Sequence, residues 1–104
     1  MASCILGLPA EAYDMSIANA HVTEIEVSYV PGQVRFSLDV AISTACPATT
    51  YLSYNGNGAD AAAKAANVNA VYSALLTAES TGHSITVFGT ASGCIAEFVY
   101  IHSN

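Results

Sequence analysis

Tyr51, Tyr54, Asn55 and Asn57 fall within one seven-residue stretch, "YLSYNGN". Aromatic rings offer flat apolar faces on which sugar rings stack, and side-chain amides both donate to and accept from hydroxyls. The quartet is therefore the candidate ligand-binding set of this chain, with chemistry suited to an uncharged glycan. The same letters also describe a strand that runs into Asn-Gly turns, which is the plainer reading of the stretch.

Other residues that can do chemistry do not assemble into catalytic patterns. His21, His83 and His102 form neither a His-x-His nor a His-x-x-x-His pair, so they read as surface histidines rather than metal ligands. A nucleophilic cysteine needs a neighbouring histidine and an electropositive setting, and Cys94 has neither in sequence. The glycines of "GTASGC" and "YNGNG" do not follow the phosphate-loop pattern. Glu24 and Glu26 share one face of a strand and read as a solvated pair. The expectation is a protein that is not an enzyme and uses no cofactor and no metal.

The balance of charge narrows the partners. Arg35 and Lys64 are the whole Lys and Arg content of the 104 residues, against eight carboxylates, for a formal net charge of −6. Nucleic-acid binding requires several Lys or Arg side chains on phosphates, so no nucleic-acid partner is expected. An anionic membrane surface is excluded for the same reason. No apolar run reaches the roughly 18 residues of a membrane span, and no membrane insertion is expected. The chain is 53% hydrophobic and only 10% charged. A surface so poor in charge tends to meet other surfaces, which points to a homo-oligomer.

The elements that must position these residues follow from periodicity. From His21 to Tyr29 the chain alternates, with Ile25, Val27 and Tyr29 on one face and Glu24, Glu26 and Ser28 on the other. Pro31-Gly32 marks a turn. "VRFSLDV" then places Val34, Phe36, Leu38 and Val40 on one face, and the two runs make an antiparallel hairpin. Residues 50–54 form a third, shorter strand. Asp60 is placed to cap a helix. An alanine-rich run follows, with Val68, Val71, Tyr72, Leu75, Leu76 and Ala78 on one face. Gly82 stands where that helix stops. "SITVFG" and "AEFVYI" are the last two strands. The order is strand, strand, strand, helix, strand, strand. A helix between the third and fourth strands is the arrangement of a five-stranded OB-type barrel. A plain antiparallel sheet with one helix packed on it remains the alternative.

Cys46 lies between the second and third strands and Cys94 between the fourth and fifth. If the two loops share one end of the barrel, they can pair and close a loop of roughly 50 residues, worth about 4 kcal/mol in the chain-entropy account. Free buried thiols or a metal site are the alternatives, although no Cys-x-x-Cys spacing suggests zinc. Cys4 is then the odd thiol: free, paired between chains, or part of a leader.

The segment "NVNAVYSALLTAESTGHSITVFGTASGC", with the later "EFVYI", resembles a group of small secreted bacterial proteins. They are similar to the B subunit of subtilase cytotoxin and its relatives in typhoid-type toxins. The residues that carry the resemblance are Tyr72, Leu75, Leu76, Thr77, Ala78, Thr81, Gly82, Cys94, Phe98 and Tyr100. It implies an OB fold, export, a disulfide matching Cys46–Cys94, and in the toxins a pentamer that binds sialylated glycans. The serine those subunits use falls near Ala18, with Ser16 the nearest hydroxyl and no basic residue beside it. The sialic acid site is therefore not carried over.

Residues 1–12, with the short apolar piece "CILGLPA" and no Lys or Arg before it, are expected to be a leader or flexible N-terminal segment. Residues 13–104 form a single OB-type domain. The location expected is secreted or periplasmic, with a signal peptide removed. The function expected is a non-enzymatic exported binding module, glycan-binding and oligomeric, with a pentamer as the ring the resemblance implies. The alternative is a structural or protein-interaction protein without a glycan site.

Overall fold

The computed structural model describes residues 13–103; the leader expected over residues 1–12, and Cys4 with it, lie outside the described residues. The elements run β1 (Met15–Ala20), β2 (Val22–Glu26), β3 (Val34–Leu38), β4 (Leu52–Tyr54), α1 (Ala61–Thr81), β5 (Ile85–Thr90) and β6 (Ile95–Ile101). The described residues are mainly β with a single helix, and their strands form one curled mixed sheet in the order β1-β5-β6-β4-β3-β2. All neighbours are antiparallel except β4 and β6, which run parallel with Ser53 opposite Ile95 and Tyr54 opposite Ala96.

Alternation explains which side of the curl is filled. Val34, Phe36 and Leu38 of β3, Leu52 and Tyr54 of β4, and Ile85 and Val87 of β5 all point inward and are buried. The helix closes this core with Val68, Leu75 and Ala78, packing against β2, β6 and β3. Its ends are set as the sequence predicts. Asp60 caps the start by accepting the Ala63 N–H at 2.8 Å. Gly82 ends it in the left-handed conformation, φ 76°, with its N–H on the Ala78 carbonyl at 2.9 Å.

The structure corrects the expected strand count and order. Among the described residues there are six strands, and four of these precede the helix. The strand missing from the sequence reading is β1. It pairs with β5 at the far side of the sheet from β2, although only His21 separates β1 from β2. Asn19, at φ 58°, and a register shift between Ile17 and Ala20 separate β1 from β2. The strand expected from His21 to Tyr29 ends at Glu26. Val27 and Tyr29, expected to share the buried face of Ile25, are 49% and 52% exposed, because the chain turns out of the sheet before the cis Val30-Pro31 bond. Val40, also expected inside, is exposed because β3 ends at Leu38. Leu76 is 45% exposed while Leu75 is fully buried. Successive helical residues point about 100° apart, so a stripe centred on Val68, Leu75 and Ala78 leaves no room for Leu76.

Cys46 and Cys94 are joined by a disulfide across a Cα–Cα distance of 5.8 Å. It ties the segment before β4 to the turn between β5 and β6. Among the described residues no helix is long and apolar enough to cross a membrane.

Candidate functional site

The outer face of β1, β5 and β6 carries four aromatic rings. Phe88 of β5 stands opposite Phe98 of β6 and, on its other side, opposite Ser16 of β1. The Tyr13 ring lies 5.2 Å from that of Phe88 and 5.7 Å from that of Phe98, and the Phe88 and Tyr100 rings are 5.8 Å apart. All three pairs meet edge to face, the geometry that the ring quadrupoles favour. Phe98 remains 40% and Tyr100 54% exposed. Clusters of large exposed apolar side chains are uncommon on small domains.

Local backbone features aim these rings. Between Phe88 and Gly89 the register with β6 shifts, so that Phe88 faces Phe98 while Gly89 faces Ala96 and Glu97 becomes the extra residue of a bulge. A Cβ on Gly89 would lie 2.0 Å from the Ile95 carbonyl oxygen, so glycine is what lets the two strands close there. Glu97 is held by the Thr90 hydroxyl, which donates to its Oε2 at 2.8 Å. Tyr13 is held through its neighbour: the Asp14 N–H donates to the Gly89 carbonyl at 2.9 Å, and Asp14 Oδ1 accepts the Ala91 N–H at 2.8 Å. Beyond Tyr100, His102 Nε2 is hydrogen-bonded to the Thr86 hydroxyl at 2.7 Å.

A shallow groove of about 320 Å³ runs along this face, lined by Tyr13, Asp14, Met15, Ser16 and Phe88. It combines two rings inclined at 61° with a carboxylate and a hydroxyl. Neither cationic side chain lines it. Arg35 is engaged elsewhere, 3.2 Å from Glu26 Oε1 and 5.1 Å above the Tyr51 ring. Lys64 stands on the helix, bordering a different hollow with Pro31, Gly32 and Asn55.

The four residues singled out from sequence are not brought to this groove. Tyr54 points inward and is 4% exposed, with its hydroxyl on Asn67 Oδ1 at 2.6 Å. The Asn57 side-chain amide donates to the Tyr54 hydroxyl at 3.0 Å and to the Glu97 carbonyl at 3.3 Å, so these two residues lock the loop to the helix and to β6. Tyr51 points to the opposite face of its strand, where its hydroxyl donates to Glu24 Oε1 at 2.7 Å. That hydrogen bond, with a smaller contribution from desolvation, holds the Tyr51 phenol above its ordinary value. Asn55 is exposed, and with Tyr54 and Asn57 it lines a small hollow closed on its other side by Ile95, Ala96 and Glu97, so three of the four residues do share one place.

Tyr13, Phe88, Phe98 and Tyr100 are too far apart in sequence to stand out as a group. The signal was present in part: Phe88 follows Val87, which is on the buried side, and so had to point outward. No family model, curated protein or solved structure matches the chain.

Proposed function

We propose that this chain is a non-enzymatic, exported binding module that presents the Tyr13–Phe88–Phe98–Tyr100 face to a glycan, built on the plan of the toxin B subunits that its sequence resembles. The observation that carries the reading is the exposure of Phe98 and Tyr100 within a ring cluster that the sheet holds in place from behind. Sugar rings stack on such platforms, and Asp14 and Ser16 at the groove offer partners for hydroxyls.

The OB-type barrel is part of the same proposal. Taken as two halves of one broken strand, β1 and β2 give the sheet a first strand shared by both of its edges, with the helix between the third and fourth strands. Export is supported by the intramolecular disulfide, a bond that persists in oxidising compartments.

A glycan array with the native protein and with the Tyr100→Ala and Phe98→Ala variants tests the ligand. Neutral-glycan signals should be lost in the variants while their melting is unchanged. An array without any signal for the native protein removes the glycan clause.

A second reading is an interaction protein whose partner is a protein, a second copy of the chain included. It is favoured by the further exposed apolar residues Val27, Tyr29 and Leu76 away from the ring cluster. A ring oligomer, pentamer included, requires an interface of at least about 1,000 Å² in total. Light scattering that finds a monomer at high micromolar concentration rejects the ring.

A further inference from the structure

The loop between β4 and α1 contains two Asn-Gly steps, Asn55-Gly56 and Asn57-Gly58. In such a step the glycine backbone nitrogen can attack the asparagine Cγ. A bond forms between that nitrogen and Cγ, the Cγ–Nδ2 bond breaks, and ammonia leaves with the proton that the nitrogen gives up. The product is a five-membered succinimide. Water then adds to one of its two carbonyls and opens the ring to aspartate or isoaspartate. Solvent water is the only co-reactant, and glycine favours the reaction because it has no side chain to shield its nitrogen.

Both asparagines are exposed, but the fold holds them differently. The Asn57 amide is fixed by its bonds to the Tyr54 hydroxyl and the Glu97 carbonyl, and the Asn57 N–H donates to Asn67 Oδ1 at 2.9 Å. Swinging its Cγ toward the Gly58 nitrogen breaks the two hydrogen bonds of its amide group and leaves the Tyr54 hydroxyl, which is itself tied to Asn67, without that donor. Asn55 stands outside this network, at the rim of the hollow that it shares with Pro31, Gly32, Ala61, Lys64 and Ala65. Its partner glycine cannot be exchanged freely. Gly56 has φ 93°, and a Cβ there would lie 2.7 Å from the Lys64 carbonyl oxygen. The fold therefore keeps a reactive step at Asn55 while it restrains the neighbouring one.

We propose that Asn55 is a site of spontaneous deamidation and that Asn57 is protected from the same reaction by the Tyr54–Asn67–Glu97 hydrogen bonds. The carboxylate formed at position 55 shares its hollow with Lys64, beside a helix start whose cap is the Asp60 carboxylate and whose first turn adds no further acidic residue. Negative charge is favourable at that end of a helix. The modification adds one negative charge to the protein at a place that accepts it.

The test incubates the folded native protein in mildly alkaline buffer and follows both residues by fragmentation mass spectrometry. A synthetic peptide of residues 51–60 serves as the unfolded reference. In the peptide the two steps convert at similar rates. In the protein, Asn55 should convert at least about tenfold faster than Asn57, a ratio equivalent to about 1.4 kcal/mol of barrier. Asn55→Gln should abolish the fast conversion, and Asn67→Ala should accelerate Asn57. Equal rates at the two sites in the folded protein overturn the proposal, and so does an Asn55 that stays intact while the peptide converts. If Asn67→Ala does not fold, the native protein and the peptide decide the matter between them. The Asn55→Asp variant should melt at or above the native temperature at low salt and lose any gain at high salt; melting below native at low salt refutes the accepting hollow.

Discussion

The Tyr54 hydroxyl donates to Asn67 Oδ1 at 2.6 Å, and the Asn57 N–H reaches the same oxygen at 2.9 Å. One helical amide thus fixes both the last residue of β4 and the loop that follows it. Asn67→Ala removes the acceptor from a buried hydroxyl and from a backbone N–H. Leaving such groups unpaired costs about 1–3 kcal/mol. A calorimetric melt should fall by about 4–8 °C for each kcal/mol lost in a domain of this size. An unchanged melting temperature would show that water replaces the amide without penalty.

The Cys46–Cys94 bond closes a loop with a sequence separation of 48. The chain-entropy account gives about 4 kcal/mol for a loop of that length. The double replacement Cys46→Ala with Cys94→Ala should lower the free energy of unfolding in urea by an amount of that order. Non-reducing peptide mapping should recover the two cysteines in one linked peptide; both alkylated without prior reduction would refute the bond.

Gly89 and Gly82 make a matched pair of tests. A methyl on Gly89 collides with a backbone carbonyl at the bulge, whereas nothing lies within 4 Å of one on Gly82. Gly89→Ala should therefore prevent β5 and β6 from closing and lower stability severely. Gly82→Ala should cost only the left-handed conformation, about 1–2 kcal/mol. Denaturant titration of the two variants should rank them in that order, and a Gly82→Ala variant as damaged as Gly89→Ala would contradict it.

Leu75 and Leu76 separate the buried face of the helix from the exposed one. Leu75→Ala should cost about 2–5 kcal/mol, the range for a fully buried leucine. Leu76→Ala should stay within about 0.5 kcal/mol of native, as for most surface changes. Equal losses in the two variants would place Leu76 in an interface that covers it.

The Tyr51 phenol is raised by its hydrogen bond to Glu24. A raised value favours the protonated phenol in the folded state. Its contribution to stability is present below the ordinary tyrosine range and is lost as pH rises through the folded value. Ultraviolet titration of tyrosinate should show a late-ionising component that is absent in Tyr51→Phe. In Glu24→Gln it should move back toward the ordinary range. No such component in the native protein would mean that the bond does not persist in solution.

Local chemistry between neighbouring residues is legible along the chain. "VRFSLDV" alternates, and Val34, Phe36 and Leu38 are the buried face of β3. Asp60 and Gly82 bound the helix because a capping carboxylate and a left-handed glycine act within one turn. The two loop cysteines were recognisable as a possible pair for the same reason of placement. The tertiary structure alone decided the rest. Tyr51 and Tyr54 looked like one binding cluster, but β4 sends them to opposite faces, and Asn67, ten residues after Asn57, claims the inner one. The break at Asn19 divides a stretch of chain between two distant edges of the sheet, and nothing in the local pattern says that the two halves part company. Tyr13, Phe88, Phe98 and Tyr100 come from three separate parts of the chain and meet only because β5 pairs with both β1 and β6. Side-chain periodicity says which residues share a face of one strand. Which strands lie side by side, and so which exposed rings become one surface, depends on closing long loops around a common core.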